Sequence, residues 1–283
     1  MSSLYAVRPA TKQDQSIISS LIGFEYYVHR HLDWRTAFDW LDYQPYLLMQ
    51  RDKRLIAALA CPPDPPGVAW IRLFATTSSL SPSETWGPLF DSAYAMLQQG
   101  NKTTIVALAL QEWFEKLMVD NGFKLHQNIV VLQWSGKSPE RRTVPVSLII
   151  RPMVQSDLAE VEVVDRLAFD PLWQHTLSSL ALALQQSAYA TVAELNGLPI
   201  GYQICTATPF SAHLARLAVR PDLQRNRLGQ AIVTDLLWHF KQRNINHITV
   251  NTQEDNGASL ALYKKIGFLF TGETFPVLTY AQE

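Results

Sequence analysis

The chain has 283 residues, 47% of them hydrophobic and 17% charged, with a formal net charge of −1 at pH 7. That supplies apolar material for two cores of about 140 residues each, and the near-neutral balance argues against a nucleic-acid binder held by bulk electrostatics. No apolar run approaches membrane-spanning length and the first residues lack the apolar centre of a signal peptide, so a cytoplasmic protein without membrane contact is expected.

In chain order, the first landmark is Arg8-Pro9 followed by Asp14. Residues 24–46 are dense in aromatics and include His29 and His31, which lack further metal ligands nearby, so core packing is expected there and no metal site. Cys61 stands in an apolar stretch, as does Cys205 later, and both read as buried free thiols. A strand is expected over 70–76, and then a serine-rich loop with Gly87. A helical segment ends at Gly122-Phe123. Residues 135–145 are polar, charged and proline-bearing, which is linker chemistry. The expected division is therefore a first domain over 1–136, a linker over 137–145 and a second domain over 146–283.

The second half reads as strands alternating with helices. A strand over 148–151 precedes a helix around 157–169, and two strands meet at Asn196-Gly197, a hairpin signal. A strand over 212–219 leads through a loop into a helix from Gly229, whose apolar residues Ile232, Val233, Leu236, Leu237 and Phe240 have the helical period. A strand over 247–252, a helix stopping at Gly267, and two strands over 268–271 and 277–280 complete it. The class is α+β, with a mixed sheet.

The halves repeat. Arg151, Pro152 and Asp157 stand 143 positions after Arg8, Pro9 and Asp14, and the Gly-Phe pair at 267–268 stands 145 after that at 122–123. Two landmarks at nearly one spacing indicate a duplication.

The segment from Leu217 to Ala231 carries the chemistry. A strand ends at Val219, a proline turn follows, and residues 224–229 open directly into an amphipathic helix. The first N–H groups of a helix lack internal partners and sit at the positive end of its dipole, so this start suits a phosphate or diphosphate.

The string Gln224-Arg225-Asn226-Arg227-Leu228-Gly229-Gln230-Ala231 resembles the acetyl-CoA loop of the GNAT superfamily of N-acetyltransferases. The preceding Leu217-Ala218-Val219 and the later run from Asn256 to Phe268 match the same superfamily in order and spacing. The resemblance implies two GNAT-like domains in tandem and acetyl-CoA as co-substrate. It implies donor contacts from Leu217, Val219, Gln224, Arg225, Arg227, Leu228, Gly229, Gln230 and Ala231, and from Asn256 and Ser259. It also implies that Tyr263 protonates the departing thiolate, a role suited to a phenol that is neutral at pH 7. His213, six residues before Val219, is the proposed base; Asn251, where some members carry a glutamate, cannot serve. One departure stands out: Arg227 occupies the place of the family's first loop glycine. With ordinary helical dihedrals at Arg227 the amide cradle survives and its guanidinium can meet a CoA phosphate; if that place requires positive φ or close backbone approach, affinity suffers.

The acceptor implied is an amine, either a small molecule or a protein N-terminus, and the low charge for the size fits a homodimer. A non-catalytic acyl-CoA sensor is the alternative. The first half lacks the loop motif, and Met118 stands where Tyr263 does, so it is expected to be a degenerate copy.

Overall fold

The Arg-Pro-Asp signature folds the same way twice. In the computed structural model, which describes residues 5–99, 102–134, 136 and 148–280, Arg8 grips both carboxylate oxygens of Asp14 at 2.8 and 2.6 Å. Arg151 grips Asp157 at 2.8 and 2.9 Å. Each aspartate also accepts a backbone N–H three residues earlier, from Thr11 or Val154, at 2.8 Å. Each arginine reaches the neighbouring strand through Nε, to Gln50 or Glu194. The pair thus ties the first strand of each copy to the start of its first helix.

The first copy runs β1 (Ala6–Pro9), α1 (Gln15–Phe24), β2 (Tyr27–Arg30), β3 (Tyr46–Arg51), β4 (Arg54–Ala60), β5 (Val68–Trp70), β6 (Leu73–Thr76), α2 (Pro82–Leu97), β7 (Thr104–Leu108), α3 (Glu112–Asp120) and β8 (Phe123–Trp134). The second runs β9 (Leu148–Pro152), α4 (Leu158–Ala168), α5 (Leu177–Gln186), β10 (Tyr189–Leu195), β11 (Leu198–Ala207), β12 (Ser211–Val219), α6 (Leu228–Lys241), β13 (His247–Gln253), α7 (Gly257–Ile266) and β14 (Phe268–Tyr280). The copies correspond in order, except that β2 in the first takes the place of α5 in the second and that β5 and β6 together stand where the second has the single strand β12. Sheets of mixed direction backed by helices make this the α+β class the sequence implies. No described helix is long and apolar enough to cross a membrane.

Three expectations are revised. The strand over 70–76 is broken at Ile71-Arg72: β5 pairs parallel with β7, whereas β6 lies between β4 and β2. The final pair of strands is one continuous strand, β14, which contains Gly272 at φ 93°. The chain also divides elsewhere than expected. One compact unit is Met1–His126 with Phe275–Glu283, the other Gln127–Thr274, and residues 137–145 lie outside the described residues. The reason lies in strand partners: Ile129–Gln133 runs antiparallel to β13, and Val277–Tyr280 runs antiparallel to β7. A periodic pattern marks a strand without naming its neighbour.

Within the first unit the core gathers Trp86, Phe74, Phe90, Phe114 and Met118, with a second cluster around Trp40 and Tyr46. The aromatics of the first half therefore pack mainly as core. In the second unit Val233, Leu236, Leu237 and Phe240 of α6 meet Ile248, Val250 and Tyr263. Cys61 and Cys205 are buried and free.

A polypeptide beginning at residue 146 lacks β8 and leaves the outer edge of β13 unpaired. Such edges template aggregation, so that fragment is expected to be insoluble, whereas one beginning at residue 123 regains solubility. Sedimentation of the two expressed fragments measures the difference.

Candidate functional site

Two neighbouring strands part company in the middle of the second unit. β12 pairs parallel with β13 only from Ser211 to Leu214, opposite His247–Val250. Beyond a bulge near Ala215, Arg216–Val219 pair only with β11, while Asn251–Gln253 pair only with β8. One edge of β12 is consequently open. The N–H of Arg220 bonds the carbonyl of Ile200 at 2.9 Å, on the β11 side. Strand alternation then turns the N–H and C=O of Leu217 and Val219 to the open side. Gln224 confirms the direction, since its Nε2 donates to the Val219 carbonyl at 3.0 Å.

Gly201 of β11 lies behind this edge. A Cβ there would sit 2.8 Å from the Ala218 carbonyl oxygen, so any side chain would push β12 out of line. Sequence reasoning missed this residue; its one signal was a glycine inside a strand pattern.

The loop after β12 is held in an uncommon conformation. After a 3-10 turn over Pro221–Leu223, Arg225 and Arg227 both adopt left-handed backbone angles, φ 66° and 62°. Each such non-glycine residue costs roughly 1–2 kcal/mol. Arg227 is the N-cap of α6 but offers no capping side chain, and no acidic residue stands in the first turn. The first amides of α6 are thus unclaimed. Arg220 is engaged by Asp222 at 2.9 Å, but Arg225 and Arg227 are exposed and meet no carboxylate among the described residues. Leu228 is buried and anchors the helix start with Val219 and Ile232. Gly229 permits close packing, because a Cβ there would come within 3.3 Å of Leu262 on α7. Gln230 and Ala231 follow in the first turn, half-buried.

The corresponding helix start in the first copy is closed. Ser81 caps α2, Glu84 accepts from Ser81 N and Oγ at 2.7 and 2.8 Å, and Pro82 removes one N–H. A carboxylate of the chain already stands where an anion would bind.

Tyr263 lies on α7, beside Leu262, with its ring buried against Phe268 at 5.4 Å. No described residue hydrogen-bonds its hydroxyl, and burial pushes its pKa well above the usual phenol value. Asn256 caps α7 by accepting from the Ser259 N–H at 3.0 Å, so the Asn256 oxygen is occupied by the helix itself. His213 is not brought to Tyr263. Ala212, Leu214, Ile248 and Val250 share the core face with Tyr263, and alternation sends His213 and Thr249 to the opposite face. There His213 Nδ1 meets Thr249 Oγ1 at 2.9 Å, and burial lowers its pKa, which keeps the ring neutral at pH 7.

On that opposite face lies a buried network the sequence did not announce. Asp165 of α4 accepts from Tyr202 Oη, from Arg216 Nε and Nη2 at 2.9 and 2.6 Å, and from the His175 N–H at 2.8 Å. Arg216 also donates to the Trp173 carbonyl at 2.6 Å and stacks 3.5 Å over Phe169. It ties the α4–α5 connection to the unpaired stretch of β12.

Residues 158–268 match the Acetyltransferase (GNAT) family, so that stretch of the second half is similar to a GNAT acetyltransferase domain. Among curated proteins, the chain is 32% identical over 73 residues to the [ribosomal protein bS18]-alanine N-acetyltransferase of Escherichia coli K12, covering 26% of this chain and 49% of that one. It therefore spans about half the length of that relative. An uncharacterized N-acetyltransferase of Methanocaldococcus jannaschii is 25% identical over 122 residues, 43% of this chain and 78% of that one. Among solved structures, a tandem GNAT protein from the clavulanic acid biosynthesis pathway superposes with a TM-score of 0.67 over 99% of both chains, at 13% identity. A GCN5-related N-acetyltransferase from Sphaerobacter thermophilus gives 0.61 over 99% and 96%, at 14% identity. The fold is that of a tandem GNAT protein.

Replacing Arg227 by glycine removes one left-handed strain, offset in part by the greater freedom of the unfolded chain. Arg227→Gly is expected to raise unfolding free energy by about 0.5–1 kcal/mol. Gly201→Ala is expected to lower it. Urea titration of the two variants reads both signs.

Proposed function

We propose that the second copy transfers an acetyl group from acetyl-CoA to a primary amine by direct attack. The observation that carries this is the open edge of β12, continuous with a loop whose helix-start amides and two arginines are unclaimed. Acetyl-CoA supplies a thioester carbonyl, a thiol leaving group and an anionic pyrophosphate. The amides of Leu228, Gly229 and Gln230 would face the pyrophosphate, Ala231 closing the first turn through its N–H to the Arg227 carbonyl at 3.0 Å, and Arg225 and Arg227 would add charge-assisted hydrogen bonds. Gln224 holds the loop against Val219. The outward N–H groups of Leu217 and Val219 would donate to the carbonyl oxygen as it gains charge, a main-chain oxyanion hole. Asn256 and Ser259 order the start of α7, which carries Tyr263.

Tyr263 supplies a proton to the sulfur as its bond to the acetyl carbon breaks. Burial favours its neutral form, so the proton remains available through mildly alkaline pH. The amine must arrive uncharged and then lose a proton. His213 is neutral and serves as the proposed base through water, since its ring lies on the other face of the sheet. The preferred acceptor is a protein N-terminus, by analogy with the bS18-alanine N-acetyltransferase, with a small amine as the alternative. The site belongs to the second copy alone, because Met118 replaces the tyrosine in the first and Glu84 closes its helix start. A non-catalytic acyl-CoA-binding role is the second reading, favoured by the separation of His213 from the Tyr263 face.

Tyr263→Phe removes the proton without the ring. It is expected to lower acetyl transfer to a panel of N-terminal peptides and amines by roughly 10²–10⁴-fold, with acetyl-CoA affinity unchanged by calorimetry. Tight binding by the wild-type chain with no transfer to any acceptor would establish the second reading instead. The wild-type rate should climb with pH as the amine deprotonates and show no descending limb below about pH 10, the ordinary phenol pKa. A fall near pH 8 in the pH–rate profile would remove Tyr263 as the acid.

A further inference from the structure

The first copy has the same parting of strands, and its open edge is filled. The N–H of Thr77 bonds the carbonyl of Ile56 at 2.9 Å, as Arg220 bonds Ile200 at 2.9 Å in the second copy. Ala57 stands opposite Thr76 as Gly201 stands opposite Val219. Phe74 and Thr76 therefore correspond to Leu217 and Val219, and their N–H and C=O groups point away from β4. They meet β2, which runs antiparallel with Tyr27 opposite Thr76 and His29 opposite Phe74.

The side chains of β2 complete the filling. Tyr27 stands edge-on to Trp113 at 5.3 Å, and His29 stacks on Phe114 at 3.7 Å while its Nε2 donates to the Ile71 carbonyl at 3.2 Å. Trp113 and Phe114 lie on α3, 145 positions before Ala258 and Ser259 of α7. Large rings stand where the second copy has small side chains. The chain just after β2 is pinned as well: Arg72 Nη1 donates to Asp33 at 2.9 Å, and the His31 N–H bonds the Arg72 carbonyl at 3.0 Å.

We infer that the first copy's cleft, the counterpart of the one the second keeps for an acyl donor, is a receptor for an extended peptide strand, filled by this chain's own Tyr27–Arg30. This rests on the donor reading of the second copy. Main-chain hydrogen bonds hold the strand, and rings at alternate positions give it specificity, as in β-strand addition generally. The first copy is thus a self-occupied site and not a second acetyl-CoA site.

Residue-resolved hydrogen exchange on the full chain, with acetyl-CoA as the added probe, tests this. Phe74 and Thr76 should exchange slowly without ligand and be unchanged by it, while Leu217 and Val219 exchange fast and slow by roughly tenfold or more on its addition. The double variant Tyr27→Gly, His29→Gly should speed exchange at Phe74 and Thr76, and a capped peptide of residues 25–30 added in trans should slow it again. Fast exchange at Phe74 and Thr76 in the free wild-type chain overturns the inference, with no variant needed. So does slowing there by acetyl-CoA, or failure of the peptide to restore protection in a variant whose Leu217 and Val219 still respond. If acetyl-CoA slows neither pair, the donor reading of the second copy fails, while slow wild-type exchange and rescue by the peptide still support the strand receptor.

Discussion

A parallel pairing that stops after four residues is the constraint on which the second unit's chemistry depends. As long as β12 and β13 stay paired, every main-chain group is satisfied and the sheet has nothing to offer a ligand. Where they separate, β12 keeps one neighbour and exposes N–H and C=O groups on the other side. An exposed strand edge in the middle of a sheet is a liability unless something occupies it. The rest of the unit organises that edge: the bulge near Ala215 starts it, Gly201 gives it a flat backing, Gln224 closes its end, and Arg216 with Asp165 holds the adjoining connection.

The same constraint explains why the copies diverged without losing the fold. Each copy must satisfy the edge, and the segment between its first helix and its next strand is free to do so. In the first copy that segment supplies β2 and large rings pack beside it. In the second it forms α5, and the edge is left for something else. The helix starts follow suit, with Ser81 and Glu84 engaging one another before α2 and the unclaimed amides of α6 preceded by two strained arginines. Left-handed arginines are unfavourable in isolation, and such strain is found where binding compensates for it.

Much of this was legible in the chain. The Arg-Pro-Asp repeat is a local device, complete within seven residues, and it recurred as a bidentate pair in both copies. The Asn196-Gly197 hairpin, the helix beginning near Gly229 and the stop at Gly267 are also local and came through. The interruption at Ile71-Arg72 did not, because a run of apolar residues looks continuous whether or not its neighbour changes midway. Nor did the destinations of β8 and the end of β14, which depend on pairing partners far away in sequence.

The family resemblance, the duplication and the place of the loop and Tyr263 were legible in the sequence alone, because each rests on residue types at fixed short spacings. Tertiary structure alone decided that Arg225 and Arg227 are left-handed, that His213 faces away from Tyr263, and that one open edge is filled while its twin is not. Those features depend on which strand lies beside which and on which face a side chain emerges. A shift of one residue in register reverses every face, and no local pattern encodes that.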